Sequence, residues 1–389
     1  MAESIARTAY APFRAESRAL LPAGTAVLDA HTHLGVDEDG QSLALDALLA
    51  ALDEVSPDAR ACTFPLHDPD RHPGYRRPND RVLGWAAESG GRLVPYCRLD
   101  PAEDPVGEAE RCLARGARGI KLHPRAQAFE FGTAAADRIF AVAREAGVPV
   151  LVHAGRGMAP MDALADLALR YPEVPLVLAH AGIAGQGMFA TRLADHPAAL
   201  YDTATLSPFD VIELFARVPA ERIVYASDAP YGRPAFALYQ ALRIGGLAAG
   251  LDEDERRMLV GGTMAAALDG APLPPARAPR LPPVRLVSGR LLRAATYLHM
   301  GFAAIVSGSD GTRDPARALP WIAMARSVCR DPEPGAAGTA LARIDTTLDA
   351  AERMILAGGR QAAVAVGLVH STMVYAATEP VSVDGAGPA

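Results

Sequence analysis

Four short apolar runs in this chain each end in a residue able to bind a metal. Ala26-Val27-Leu28 leads into Asp29-Ala30-His31-Thr32-His33-Leu34-Gly35, and Val150-Leu151-Val152 leads into His153-Ala154-Gly155. Leu176-Val177-Leu178-Ala179 leads into His180-Ala181-Gly182, and Ile223-Val224-Tyr225-Ala226 into Ser227-Asp228. Side chains at i and i+2 of a strand point the same way, so His31 and His33 present two imidazoles together. Neutral imidazoles converging on one point suit a borderline-soft divalent ion such as zinc. One His-x-His is a weak signal. Four strand ends of this kind constrain the fold, because all of them must open onto one place.

The rest of the pattern supplies that place. Strands are predicted at 26–31, 59–65, 93–98, 118–123, 148–153, 175–180, 199–203 and 222–227, with amphipathic helices between them. Asp104-Pro105 and Ser207-Pro208 read as N-caps followed by a first-turn proline. Thr133 opens a helix that Gly147 closes, and Leu43, Leu45, Leu48, Leu49 and Leu52 give the first connecting helix its apolar face. The metal-binding ends belong to the first, fifth, sixth and eighth strands. A doubly wound open sheet holds its first and last strands apart, whereas a closed parallel barrel brings them to one carboxyl-end mouth. The fold class expected is therefore α/β, a TIM (β/α)8 barrel.

Residues 271–283 contain six prolines, which excludes helix or central strand and reads as an extended linker. Beyond it the strand pattern disappears, and helices are predicted at 286–307, 315–329, 338–357 and 361–377. The organisation expected is an N-terminal extension (1–23), the barrel (24–270), a Pro-rich linker (271–284), an additional C-terminal all-helical segment (285–379) and a disordered tail (380–389). With 50% hydrophobic and 21% charged residues, a sizeable core is expected. A net charge of −7 disfavours nucleic acid as the main partner. The N-terminal residues Glu3, Arg7, Arg14, Glu16 and Arg18 break any signal-peptide pattern. The run 294–306, interrupted by His299 and Gly301, is too short to span a bilayer. Cys62, Cys97, Cys112 and Cys329 show no Cys-x-x-Cys spacing and read as reduced, buried thiols of a cytoplasmic protein. The partner expected is a small-molecule substrate, with no nucleic acid and no membrane, and a homo-oligomer left open.

Taken in order, Asp-Ala-His31-Thr-His33, Gly-Ile-Lys121-Leu-His123-Pro, Val-His153-Ala-Gly, Ala-His180-Ala-Gly and Ser-Asp228-Ala-Pro-Tyr-Gly resemble the amidohydrolase superfamily. The closest likeness is to its amidohydrolase-related branch, which includes the aminocarboxymuconate-semialdehyde decarboxylase-like enzymes. The resemblance covers about residues 24–270 and implies a distorted TIM barrel with one or two divalent metals at its mouth, zinc or manganese. Carried over by position, it makes His31, His33, His153 and Asp228 metal ligands, with Asp228 also exchanging a proton with the attacking water. It makes His180 a ligand to a second metal or a group that moves a proton. It makes Lys121 a ligand only if carbamylated; otherwise Lys121 is a plain cation for substrate anions. One departure is Gly261-Gly262-Thr263, where relatives often carry Gly-Asn at the start of the closing helix.

Three imidazoles and one carboxylate leave a coordination position open, as a catalytic ion requires. Such an ion brings the pKa of bound water toward neutrality, and Asp228 can take that proton and return it to the leaving group. Alternation places Lys121 and His123 on the inner side of the fourth strand, where an unpaired charge is costly. His123 reads as a substrate contact or as support for a ligand. Arg98 can grip a substrate carboxylate bidentately or pair with Asp100 or a neighbouring carboxylate. Arg125 and Gln127, beyond the fourth strand, are further mouth candidates. His67 and His72 read as solvated loop histidines, Tyr231 and Arg233 as rim residues, and His299 and His370 as core or surface histidines of the C-terminal helices.

The activity expected is metal-dependent hydrolysis of a C–N or C–O bond (amide, lactone or ester) in a small carbonyl compound. A non-oxidative decarboxylase of a small carboxylic acid would use the same residues, and an inactive barrel serving as an interaction scaffold is the reading from outside enzymology. A TatD-like nuclease is disfavoured by Lys121, which stands where that group has a carboxylate.

Overall fold

The computed structural model describes residues 2–155, 161–280, 288–306 and 314–379. Its strands are β1 (Leu28–Val36), β2 (Ser42–Leu43), β3 (Arg60–Pro65), β4 (Leu93–Pro95), β5 (Cys97–Arg98), β6 (Ile120–Leu122), β7 (Val150–His153), β8 (Leu176–Ala179), β9 (Ala199–Asp202) and β10 (Ile223–Val224). Apart from the two-residue β2, these occupy the eight predicted strand positions, the third of them divided into β4 and β5.

Two sheets result, ordered β2-β1-β3-β4 and β10-β9-β8-β7-β6-β5, with every pairing parallel except β1–β2. Hydrogen bonds join them at both seams. Around Tyr96 the third strand bends from one sheet into the other: the Tyr96 amide donates to Thr63 O (2.8 Å) and the Cys97 amide to Gly119 O (3.0 Å). Opposite, the amides of Ala30, Asp228 and His33 donate to the carbonyls of Tyr225, His31 and Ala229 at 3.0, 2.8 and 2.8 Å. The segment that follows β10 thus runs parallel beside β1, completing the ring of a TIM barrel.

The predicted punctuation forms as the chemistry requires. Thr133 and Ser207 accept amide hydrogen bonds at the starts of their helices, Ser207 in a reciprocal capping box with Asp210; Gly147 ends the first of these with φ 63°. Inside the barrel, Ala30, Phe64, Tyr96, Leu151, Val177 and Leu200 fill the space below the mouth. Gly119 is obligatory there, since a Cβ would enter the Tyr96 ring.

The helices are α1 (Ala2–Leu20), α2 (Leu45–Asp53), α3 (Arg76–Glu88), α4 (Pro105–Ala114), α5 (Ala134–Ala146), α6 (Asp162–Arg170), α7 (Gln186–Arg192), α8 (Pro208–Arg217), α9 (Pro234–Arg243), α10 (Glu253–Arg257), α11 (Thr263–Leu268), α12 (Gly289–Val306), α13 (Leu319–Arg330), α14 (Gly335–Ala357) and α15 (Gly359–Thr378). The last four form a second core around Leu298, Ile322, Ile344 and Leu368, and Tyr10, Phe13 and Tyr239 pack into it. The N-terminal extension, given no structure from sequence, is therefore a helix that joins barrel helix α9 to the C-terminal bundle. Buried Arg243 ties the three together. It pairs with Glu16 and Glu379, donates to Thr378 Oγ1 (2.6 Å) and lies over the Tyr375 ring.

Residues 271–280 have no regular secondary structure but are anchored: Arg222 donates to Pro274 O (2.8 Å), and Arg277 and Arg280 pair with Glu221 and Glu255. The end of the expected linker (281–284), the first and last residues expected of the first C-terminal helix (286, 287 and 307) and the tail (380–389) lie outside the described residues.

Gly367 of α15 sits against Phe236 of α9, where a Cβ would collide with the ring. Overpacking of this kind costs about 1–3 kcal/mol. Gly367→Ala is expected to lower the thermal midpoint by several degrees while leaving metal content intact. An unchanged midpoint would show that the helical segment does not bear on the barrel there.

Candidate metal centre

The strand ends converge. His31 Nε2, His33 Nε2 and Asp228 Oδ1 are mutually 3.0–3.2 Å apart, and ligand atoms of His31, His180 and Asp228 all lie within 4.8 Å of one another. Around a tetrahedral ion with bonds of ~2.1 Å, donors sit ~3.4 Å apart, so these separations are those of one coordination sphere. Left-handed backbone at His180 (φ 56°) and Asp228 (φ 60°) turns the chain sharply at both strand ends. Gly232, whose Cβ would run into Ser227 O, lets the chain close behind Asp228.

One residue that the sequence reading missed organises the rest. Asp202, fully buried at the end of β9, accepts from His31 Nδ1 (2.8 Å), from the His180 amide (2.7 Å) and from the Ala204 amide (3.0 Å). A carboxylate only accepts, so His31 Nδ1 carries a proton, and Nε2, 3.0 Å from Asp228 Oδ1, is the nitrogen that would bind an ion. This is the carboxylate–histidine pairing that orients metal-binding imidazoles. The signal was available: Ala199-Leu200-Tyr201 is another apolar run ending in a potential ligand.

His180 is set by the same logic. Its Nδ1 faces the Ala204 carbonyl (3.1 Å) and Thr205 Oγ1 (2.9 Å), which leaves Nε2 as the lone-pair nitrogen. His153 Nδ1 lies 3.1 Å from His180 Nε2, a separation like that of His31 and His33. Like His33, His153 is not in the His31–His180–Asp228 group; the family pattern makes both direct ligands. His123 stacks flat on His153 at 3.8 Å, and its Nδ1 accepts from the Ala126 amide. Gly155 makes room for the His153 ring, which a Cβ would contact at 2.8 Å.

The electrostatics favour a cation. Burial raises a carboxylate pKa, yet Asp228 is held well below the usual range by the His31 charge and by hydrogen bonds from His31 and His33. Asp202 is likewise held down against burial by His31. For His31, burial and Lys121 oppose the charged form, but Asp228 and Asp202 outweigh them and raise its pKa. Burial keeps the other imidazoles neutral: His33 falls to about 3, and His123, His153 and His180 are also lowered. Two buried carboxylates beside imidazoles that, His31 apart, burial keeps neutral are chemically matched to a divalent ion.

Lys121 is fully buried, with Nζ 3.5 Å from His31 Nε2 and 4.7 Å above the centre of the Phe64 ring. Burial, partly offset by Asp228, pushes its pKa down to about 7. Arg98, in register with Lys121 on the neighbouring strand, is 1% exposed and forms no pair with Asp100, whose Oδ1 instead accepts from the Ala102 amide. Its main chain is clamped by Asn79, which accepts from Arg98 N (2.9 Å) and donates to Arg98 O (3.0 Å).

Other candidates lie further out. Arg125 is exposed and reaches none of these groups. Gln127 braces the fourth strand's end, accepting from the His123 amide (2.9 Å) and donating to Leu99 O. His67 is not solvated: Nδ1 meets Tyr75 Oη at 2.5 Å and Nε2 faces Glu38 at 3.5 Å. His72 is exposed and pairs with Glu103. Tyr231 donates to Asp37 (2.9 Å) beside His33, and Arg233 lies 3.8 Å from Glu54. His299 packs edge-on to Phe209 and His370 lies tilted against Phe302, both on the C-terminal helices.

In Asp202→Asn, one amide oxygen cannot serve both His31 Nδ1 and the two backbone amides. Loss of such an outer partner costs about 10–100-fold in metal affinity. Competition of the variant against a chelating dye is expected to show a drop of that size; wild-type affinity would mean His31 needs no such clamp.

Comparison with known proteins follows the barrel. A family model described as amidohydrolase matches residues 28–269. Among solved structures, an amidohydrolase II is similar at TM-score 0.51 and 17% identity, covering 63% of this chain and 100% of its own. A dihydroxybenzoic acid decarboxylase from Polaromonas sp. JS666, with bound manganese and 2-nitroresorcinol, is similar at TM-score 0.49 and 16% identity, covering 63% and 97%. A 2,6-dihydroxybenzoate decarboxylase in complex with 2,6-dihydroxybenzoate is similar at TM-score 0.48 and 16% identity, covering 63% and 99%. Among curated proteins, no match was found. The family model spans more than half of the chain and the very strands that carry the cluster, so the protein belongs to the amidohydrolase family.

Proposed function

We propose that the protein is a metal-dependent hydrolase that cleaves a C–N or C–O bond of a small carbonyl compound. The observation that carries this reading is the 3.0–3.2 Å triangle of His31 Nε2, His33 Nε2 and Asp228 Oδ1, with His31 locked by Asp202. These three groups, with His180 beside His31 and Asp228, would hold one divalent ion, zinc or manganese. When bound, such an ion supplies Lewis acidity toward a carbonyl oxygen and an attacking water.

The chain's own residues do the rest. Asp228, ionised and placed between His31 and His33, takes the proton of the attacking water and delivers it to the leaving nitrogen or oxygen. His180, with Nδ1–H fixed by the Ala204 carbonyl, holds Nε2 toward the reacting centre, and the His153–His123 stack keeps that ring from turning. Lys121 serves as an unmodified amine beside His31.

A panel of small lactones, amides and esters, run beside small carboxylic acids, separates hydrolysis from decarboxylation by acid production against CO2 release. Activity on the first group is expected to vanish on chelation and to return with zinc or manganese. CO2 release alone would replace the hydrolase reading with the decarboxylase one. Stoichiometric metal with neither activity on the panel would overturn both. Metal analysis by mass spectrometry is expected to find one equivalent in wild type and in Lys121→Ala; a fall from two to one or none in the variant would instead establish a carbamate bridge.

A further inference from the structure

Among the described residues, the protein pairs the arginines it buries deeply, with one exception. Arg243 is held by Glu16 and Glu379, and Arg326 by Asp345, Asp349 and Glu352. Arg98 is buried as deeply as Arg243 and has no carboxylate within ion-pair distance among the described residues. Its Nη1 donates to Pro65 O (3.2 Å) and its Nη2 lies 3.4 Å from His67 Nδ1, a nitrogen already engaged by Tyr75 Oη. Its Nε has no acceptor among the described residues. The guanidinium rests on the Tyr75 ring, 5.0 Å from its centre.

A buried cation without a counter-charge is costly, and the nearby acids are committed elsewhere. Asp37 accepts from the His67 amide and from Tyr231 Oη, both at 2.9 Å, and Glu38 pairs with Arg71. The electrostatic neighbours of Arg98 include Tyr231, which packs edge-on to His33, while Arg98 in turn acts on Lys121 and His123. It therefore belongs to the ring of groups around the metal cluster, yet makes no hydrogen bond to any member of it.

We propose that Arg98 is the receptor for a carboxylate of the substrate, separate from the carbonyl that reacts at the cluster. This rests on the hydrolase reading and narrows it to carbonyl compounds that also bear an acid group. The free Nε–H and the loosely held Nη2 form the edge that a carboxylate takes bidentately. A spectator acid bound there leaves the cluster to the scissile carbonyl, whereas a decarboxylase must bring the acid itself to the reacting centre.

The test is binding, independent of turnover. Acetate, succinate and benzoate are each compared with their neutral amides by calorimetry on the metal-loaded, full-length protein, in wild type, Arg98→Met and Arg98→Lys. At least one acid is expected to bind wild type tenfold or more tightly than its amide. That preference is expected to disappear in Arg98→Met and to shrink severalfold in Arg98→Lys, with metal content unchanged in both. Should Arg98→Met fail to fold, Arg98→Lys, which retains the charge but loses the two-point geometry, decides the matter. Equal binding of acids and amides by wild type overturns the proposal, and so does a preference that survives substitution, since recognition would then lie with the ion. Failure of turnover with this preference intact would count against the hydrolase reading alone.

Discussion

The site depends on a single buried carboxylate that is not itself among the proposed metal ligands. Asp202 touches His31 through the ring and His180 through the main chain. It thereby fixes elements separated by most of the barrel sequence in one geometry. Because Asp202 can only accept, it dictates which His31 nitrogen bears hydrogen and so which one is free to bind. Take that hydrogen bond away and nothing keeps a hydrogen on Nδ1 while Nε2 gives its own up to an ion. The barrel supplies position to a few ångströms; this hydrogen bond supplies orientation.

The C-terminal helices reach the same site by a longer route. α9 begins six residues after Asp228, and its buried Gln240 donates to Leu206 O (3.1 Å). That carbonyl belongs to the loop that also carries Ala204 and Thr205, the partners of His180 Nδ1. The other end of α9 is the Arg243 junction with α1 and α15. One helix thus joins the second core to the loop that sets the His180 tautomer, and a rigid bundle behind α9 limits how far that loop can drift.

Much of the barrel was legible because its determinants are local. Apolar runs ending in His or Asp, Asp104 and Ser207 before prolines, and Gly147 after a helix each act within a few residues. The convergence of His31, His33, His180 and Asp228 followed from strand order alone. Tautomers, stacking and pairings depend on contacts between distant segments and were not legible. His153 meets His180 with its ring stacked on His123 and folded over Gly155. His67 looked like a solvated loop residue because nothing local announces Tyr75 Oη or Arg98. The N-terminal helix was missed because its apolar residues, Tyr10 and Phe13, are sparse and find their partners more than two hundred positions away.

Lys121 is the sole lysine in the chain; every other basic side chain apart from histidine is arginine. A sequence that otherwise uses arginine throughout keeps a lysine at the one place where a permanent charge is hardest to accommodate. A guanidinium holds its proton under all ordinary conditions, whereas burial brings the Lys121 amine to about 7, so it can sit neutral beside His31. The two carboxylates of the cluster carry two negative charges and a divalent ion two positive ones. A neutral amine leaves that balance at zero, and an arginine in its place would add a buried positive charge with no acid free to meet it. Arg98, one strand away, lies outside this closed account, which is why its missing counter-charge points to the substrate and not to the metal.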